Sequence, residues 1–168
     1  SIVSQPTKGT VTLGANGSFN FTPTANASGS DSFTFKASDG SLDSDVATVS
    51  LTIAAINDTQ IAAVGSARGI EDTVTTGTLI ATDVDSIMLA YSIVSQPANG
   101  MVTLGANGSF LFTPIANANG SDSFTFKASD GRLDSNISTF SLTITPVNDA
   151  PQATNSNATG TEDTVIAG

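Results

Sequence analysis

The 168-residue sequence contains no cysteine, no histidine and no tryptophan. Disulfide staples, Cys/His zinc centres, Ser-His-Asp triads and Cys-His dyads are therefore excluded. Basic residues are scarce as well: Lys and Arg number 5 against 15 Asp and Glu, a formal net charge of −10. A chain this acidic has no electrostatic footprint for nucleic acid. It should repel anionic membrane surfaces and attract cations. No apolar run approaches the ~18 residues that a membrane helix requires, so membrane insertion is not expected. No signal peptide is visible, and the chain starts at Ser1 rather than Met, so it reads as a piece of a longer one. What is present is 39% hydrophobic residues in a background of Gly, Ser, Thr, Asn and Ala. That balance predicts a folded chain of short strands rather than disorder.

The strongest signal is internal repetition. Ser1-Ile2-Val3-Ser4-Gln5-Pro6 recurs as Ser92-Ile93-Val94-Ser95-Gln96-Pro97, an offset of 92 − 1 = 91 residues. The offset holds without a gap to Glu162-Asp163-Thr164-Val165, the copy of Glu71-Asp72-Thr73-Val74, and roughly two-thirds of the aligned positions are identical. A period this long is a whole domain, not one coil of a solenoid. The expected organisation is a partial repeat over residues 1–56 lacking its first strands, a complete repeat over 57–147, and a linker with the start of a third repeat over 148–168.

Within a repeat, apolar residues alternate with polar ones at period two, between turn residues. Val11 and Leu13 precede Gly14-Ala15-Asn16-Gly17, and Phe19 and Phe21 follow it. Asn-Gly is a hairpin signal because both residues tolerate positive φ. Phe33, Phe35 and Ala37 form the next inward set, and Ala47, Val49, Leu51 and Ile53 the last. The second copy keeps the phase in Phe110, Phe112, Phe124, Phe126, Phe140, Leu142 and Ile144. No segment carries a 3.6-residue stripe. About seven strands per ~90 residues predict an all-β fold of tandem immunoglobulin-like antiparallel β-sandwiches. A small antiparallel barrel is the alternative. The phenylalanines are expected to be core.

The acids collect at strand ends and repeat boundaries: Asn57-Asp58, Glu71-Asp72, Asp83-Val84-Asp85, Asp130 and Asn148-Asp149. Carboxylates and Asn side chains are hard oxygen ligands that suit calcium. Clustered carboxylates repel one another unless an ion neutralises them. The plain alternative is that acids at strand ends are solvated turn formers. Asp83-Val84-Asp85 is not an EF-hand loop, since the third acid, the Gly and the distal Glu are missing.

At these residues the sequence resembles the bacterial cadherin-like repeats of giant secreted, repeats-in-toxin-type adhesins. The matching segments are Phe35-Lys36-Ala37-Ser38-Asp39-Gly40, Ala47–Ile53, Ile56-Asn57-Asp58, Ala81-Thr82-Asp83-Val84-Asp85 and Val147-Asn148-Asp149-Ala150-Pro151. The resemblance implies calcium between successive domains. For the first junction it implies Asn57 and Asp58 from the linker, with Asp83, Asp85 and Asp130 from the downstream domain. For the second it implies Glu71 upstream with Asn148 and Asp149 in the linker. The family's Asp-Arg-Glu motif has no counterpart, because Asp31 and Asp122 lie in a different local pattern. One or two ions per junction are expected rather than three.

Other motifs carry less. The Asn-x-Ser/Thr triplets, such as Asn16-Gly17-Ser18, arise readily in a chain of this composition. Lys36 and Lys127 read as solvated gatekeepers on outward strand positions. Paired carboxylates could serve a glycosidase, but these lie at junctions, with a single Tyr to hold a sugar ring. An enzyme is not expected. The expected role is that of extracellular extender repeats at a cell surface, stiffened by calcium, with neighbouring repeats of the same chain as partners. The alternative is calcium-dependent recognition of polysaccharide or of like repeats. A further expectation is head-to-tail self-association, with Thr154–Gly168 adding a strand to the open first copy of another molecule.

Overall fold

A computed structural model describes residues 1–166. They form β-strands joined by turns, with one short 3-10 turn and no α-helix among the described residues. The first copy supplies β1 (Ile2–Ser4), β2 (Gly9–Leu13), β3 (Phe19–Pro23), β4 (Gly29–Phe35) and β5 (Ala47–Ile53). The second supplies β6 (Ile61–Ala62), β7 (Gly65–Ile70), β8 (Thr75–Thr78), β9 (Ala81–Thr82) and β10 (Ala90–Ser95). It continues through β11 (Gly100–Leu104), β12 (Ser109–Pro114), β13 (Gly120–Ser129) and β14 (Ser138–Thr145).

In the second copy β10-β13-β14-β7 form one sheet and β11-β12-β8 the other, with β6 and β9 as a small separate ladder. Seven strands thus make the expected immunoglobulin-like sandwich, and two short ones border it. Period-two patterning sets the faces. Ser138, Phe140, Leu142 and Ile144 of β14 point inward, as do Phe124, Phe126 and Ala128 of β13 and Phe110 and Phe112 of β12. Phe110 reaches across from the smaller sheet. Its ring lies 4.9 Å from Phe140 and 5.2 Å from Phe124, both edge-on, while Phe124 and Phe140 stack at 5.2 Å. Edge-on and offset contacts suit the ring quadrupoles, so this triad joins the two sheets.

One pairing departs from the antiparallel expectation. β7 runs parallel to β14, with Gly65 opposite Phe140 and Ile70 opposite Thr145. Both strands run from the first junction towards the second, so the chain leaves the domain at the end opposite its entry. Period-two patterning reports which face a residue occupies, not the direction of the neighbouring strand, so the sequence did not reveal this pair.

The first copy repeats the scaffold in part. Its strands form the sheet β1-β4-β5 and the hairpin β2-β3, and none of its described residues takes the places of β7 and β8. Phe33 and Val11 remain buried, but Phe19 is 42% exposed where Phe110 is 2% exposed. The described part of the expected third-copy segment, residues 154–166, forms no strand and is exposed. The end of that segment, Gly168, lies outside the described residues.

Candidate metal centre at the first junction

The segment after β9 folds back on its own acids. Asp83 Oδ1 accepts the backbone N–H of Asp85 at 2.7 Å and of Ser86 at 3.2 Å, which bends the D-x-D stretch into an Asx turn. Asp85 Oδ2 accepts the backbone N–H of Asp58 at 2.7 Å, so the linker is tied to D-x-D across 27 residues. That leaves Asp83 Oδ2 buried and without a hydrogen-bond partner.

Asp130 follows β13 and caps the turn after it. Its Oδ1 accepts the N–H groups of Leu133 at 2.9 Å and Arg132 at 2.7 Å. Those two bonds hold its pKa down to about 2, desolvation works against them, and the side chains of Asn57 and Gln60 add to the lowering. Asp39, the first-copy counterpart, is also lowered, by the N–H groups of Leu42 and Ser41 and without any linker side chain. The linker side chains therefore distinguish Asp130 from its repeat. Asn57 Nδ2 also donates to the Asp58 carbonyl at 3.4 Å, and Asn148 does the same to Asp149 at 3.5 Å.

Asp58, Asp85 and Asp83 are thus joined in a chain of contacts, while the hydrogen bonds of Asp130 go to its own turn. No three acidic side chains among the described residues stand close enough to hold a metal by carboxylates alone. A cation here would also need amide or carbonyl oxygens, a donor set that suits calcium rather than a softer metal. The buried, unpaired Asp83 Oδ2 fits such an ion, because an acceptor removed from water gains by finding a charge.

At the second junction Glu71 is 3% exposed. Its Oε1 accepts the Val147 N–H at 2.5 Å and its Oε2 the Asn119 side-chain amide at 2.8 Å. Glu71 therefore clasps the start of the linker that carries Asn148 and Asp149. Asp31 and Asp122, set aside above, have local structural work. Asp31 accepts the N–H groups of Thr7 and Lys8, and Asp122 those of Ala98 and Asn99. Lys127, expected to be solvated, pairs with Asp134 at an exposed position.

Sequence reasoning missed Gln60. It is 1% exposed, and neither its amide oxygen nor its amide nitrogen has a hydrogen-bond partner. The available signal was its position two residues after Asp58, where the other linker carries Pro151.

Residues 57–143 match the bacterial Ig domain family and residues 1–55 the bacterial cadherin-like domain family. No curated protein matches the chain. Among solved structures, human mucin-like protocadherin EC1-2 is 16% identical, with a TM-score of 0.53 over 86% of this chain and 87% of that one. The protocadherin GammaB4 extracellular domain is 18% identical, also at 0.53, over 85% of this chain and 27% of that one. An endo-fucoidan hydrolase of glycoside hydrolase family 107 is 21% identical at a TM-score of 0.46, over 88% of this chain. The chain spans only 23% of that hydrolase. At these identities the likeness concerns the fold alone. Bacterial Ig and cadherin-like domains are typically non-catalytic and usually extracellular surface modules. Among the described residues no helix is long and apolar enough to cross a membrane. With its family match covering residues 57–143 and a cadherin-like β-sandwich fold, the chain belongs to the bacterial Ig domain family.

Proposed function

We propose that these repeats are extender domains of a long extracellular adhesin or surface filament, and that calcium at the junctions stiffens them into a rod. The observation that carries this reading is the Asp58 N–H to Asp85 contact beside the unpaired Asp83 Oδ2, which joins linker and domain through acids with unused oxygens. The parallel β7–β14 pair supports it, since a domain that passes the chain from one end to the other suits tandem extension. Asn57, Asp58, Asp83, Asp85 and Asp130 would hold the ion. When bound, calcium neutralises the converging carboxylates and links the two sides of the junction. The chain's own contribution is to hold the D-x-D turn against the linker and to exclude water from Asp83 Oδ2.

Calorimetry with calcium alone should give a dissociation constant on the order of 10⁻⁴–10⁻³ M, as for other extracellular modules. At free calcium about 100 times that value, one site stabilises the fold by roughly 2.7 kcal/mol, so melting should rise with calcium and fall back with chelator. Asp83→Ala combined with Asp85→Ala should remove most of the rise. Identical melting curves with calcium and with chelator would show the acids to be turn formers only. Small-angle scattering checks the rod: the maximum dimension should lengthen when calcium is added.

A further inference from the structure

The first copy is built as one half of a joint. β5 is the edge of its sheet, whereas its counterpart β14 lies between β13 and β7. The outer backbone groups of β5 therefore have no strand partner among the described residues, which leaves them open to a strand from elsewhere. Val49, Leu51 and Ile53 are half-buried where Phe140, Leu142 and Ile144 are buried. At the end of β5, Asn26, Ser28, Ala54 and Ile56 line a cleft of about 260 Å³. Their counterparts in the second copy hold Glu71-Asp72. Asp72 Oδ1 accepts the Asn117 N–H at 2.9 Å, the Glu71 N–H donates to the Thr145 carbonyl at 3.0 Å, and the Glu71 carboxylate accepts from Asn119 and Val147. The receiving geometry is already formed in the first copy. Gly29 faces Ile53 as Gly120 faces Ile144, and Asn26 has φ 60° where Asn117 has φ 59°.

The other half of the joint lies further along the chain. Residues 156–161 follow β7 by 91 places, and Glu162-Asp163 follows Glu71-Asp72 by the same offset. This stretch forms no strand and is exposed, yet Asp163 holds φ 59° as Asp72 does. The side chains of the two halves are matched. A Cβ on Gly65 would collide with the Phe140 ring, but position 156 carries serine where position 49 carries the smaller valine. Lys8, which stands where the second copy has Asn99, donates to the Ser28 carbonyl at the cleft and sets a positive charge where Glu162 would enter.

We infer that the β5 edge and its cleft accept residues 156–163 of a second copy of this chain, added as a parallel strand in the register of the β7–β14 pair. Val49 then faces Ser156, Leu51 faces Ala158 and Ile53 faces Gly160. Glu162 and Asp163 take up Ile56, Ser28 and Asn26 as Glu71 and Asp72 take up Val147, Asn119 and Asn117. The chain leaves the second domain at the end opposite its entry, which carries the donor stretch away from its own first copy. The contact is therefore head-to-tail between molecules and does not close, so it propagates. Phe19 stays outside it, since Phe110 lies against Gly77 of β8.

The test uses the full chain in about 0.15 M salt, which limits charge repulsion to roughly 8 Å. Calcium chloride is present throughout, because Asp58 and Asp85 also line the cleft. Sedimentation equilibrium should show an average mass that rises past the dimer with concentration. Ala158→Asp sets a charge at an inward position of the donor strand and alters only an exposed stretch without a strand. It should weaken association about tenfold or more and leave the Tyr91 urea midpoint in place. The absence of cysteine lets disulfides report the register. Ser50→Cys mixed with Asn157→Cys in a glutathione buffer should give a mixed dimer, because facing residues on neighbouring strands lie within disulfide reach. Ser50→Cys mixed with Thr154→Cys should not, and equal yields from the two mixtures overturn the inference. A chain that stays monomeric at every concentration, or that associates equally well with Ala158→Asp, also overturns it. Ser50→Cys pairing with itself in preference to Asn157→Cys means that two β5 edges join each other, and overturns it too.

Discussion

Phe110→Ala should unfold the second domain far more easily than Phe19→Ala unfolds anything that Tyr91 can report. The two phenylalanines occupy matching places 91 residues apart in near-identical segments, yet Phe110 is 2% exposed and Phe19 42% exposed. A phenylalanine side chain exposes on the order of 200 Å² when free, so the exposure gap is roughly 80 Å² of apolar surface, or about 2 kcal/mol at 25 cal/mol per Å². Partner loss widens the gap. Phe110 would give up edge-on contacts with both Phe124 and Phe140, whereas Phe19 has only Phe33, at 5.2 Å. Truncating a buried phenylalanine typically costs about 3–5 kcal/mol, because a cavity remains. Phe110→Ala should fall in that range and Phe19→Ala at about 1–2 kcal/mol, confined to the first copy. The chain has one tyrosine and no tryptophan, so intrinsic fluorescence reports Tyr91 and the domain around it. Tyr91 packs 6.4 Å from Phe126 in the second core. In urea, with a slope of about 1–3 kcal/mol/M, Phe110→Ala should lower the Tyr91 midpoint by about 1 M or more, and Phe19→Ala should leave it in place. Equal midpoint losses for the two variants would refute the argument, since they would mean that the copies share one cooperative core.

Three further outcomes follow from the geometry. Glu71→Ala removes the buried carboxylate that accepts from the Val147 N–H and the Asn119 amide, so thermal unfolding should report a loss of about 1.5–3 kcal/mol, as for hydrogen bonds to a charged group, while Glu71→Gln should retain part of it. Asp130 has a lowered folded-state pKa of about 2, so its stabilising contribution is complete above its ordinary value of 3.8 and is lost as pH falls towards 2. Asp130→Asn should flatten that part of an acid titration followed by circular dichroism and leave the neutral-pH slope unchanged. Gly108→Ala should cost about 2–3 kcal/mol, because it adds a Cβ 2.8 Å from the Leu79 carbonyl at φ +78°, whereas Gly17→Ala at φ +84° meets nothing within 4 Å and should cost about 1 kcal/mol. Matched urea curves for the two glycine variants test this difference.

Much of the molecule was legible in the residue order. Strand phase follows from period-two alternation, because a pleated strand sends neighbouring side chains to opposite faces, and Phe124, Phe126, Phe140, Leu142 and Ile144 are buried as that pattern requires. The convergence of the linker with D-x-D was legible only through family resemblance, since the contact between Asp58 and Asp85 spans 27 residues. Other features were decided by tertiary contact. Gly14–Ser18 and Gly105–Ser109 are identical in sequence, yet Asn107 adopts φ 56° and Asn16 does not. The reason is docking: the Gly108 carbonyl accepts the Leu79 N–H at 2.8 Å and the turn lies against Tyr91, and neither neighbour has a counterpart among the described residues of the first copy. The same absence leaves Phe19 exposed and Phe110 enclosed. Gln60 was invisible for a related reason, because one glutamine in a polar linker reads as solvated until the fold closes over it. The sequence by itself determined which residues alternate and where the chain turns, because those depend on near neighbours. Which equivalent residues end up buried, paired or left without a partner depends on surfaces brought together from far along the chain, and only the folded structure decided that.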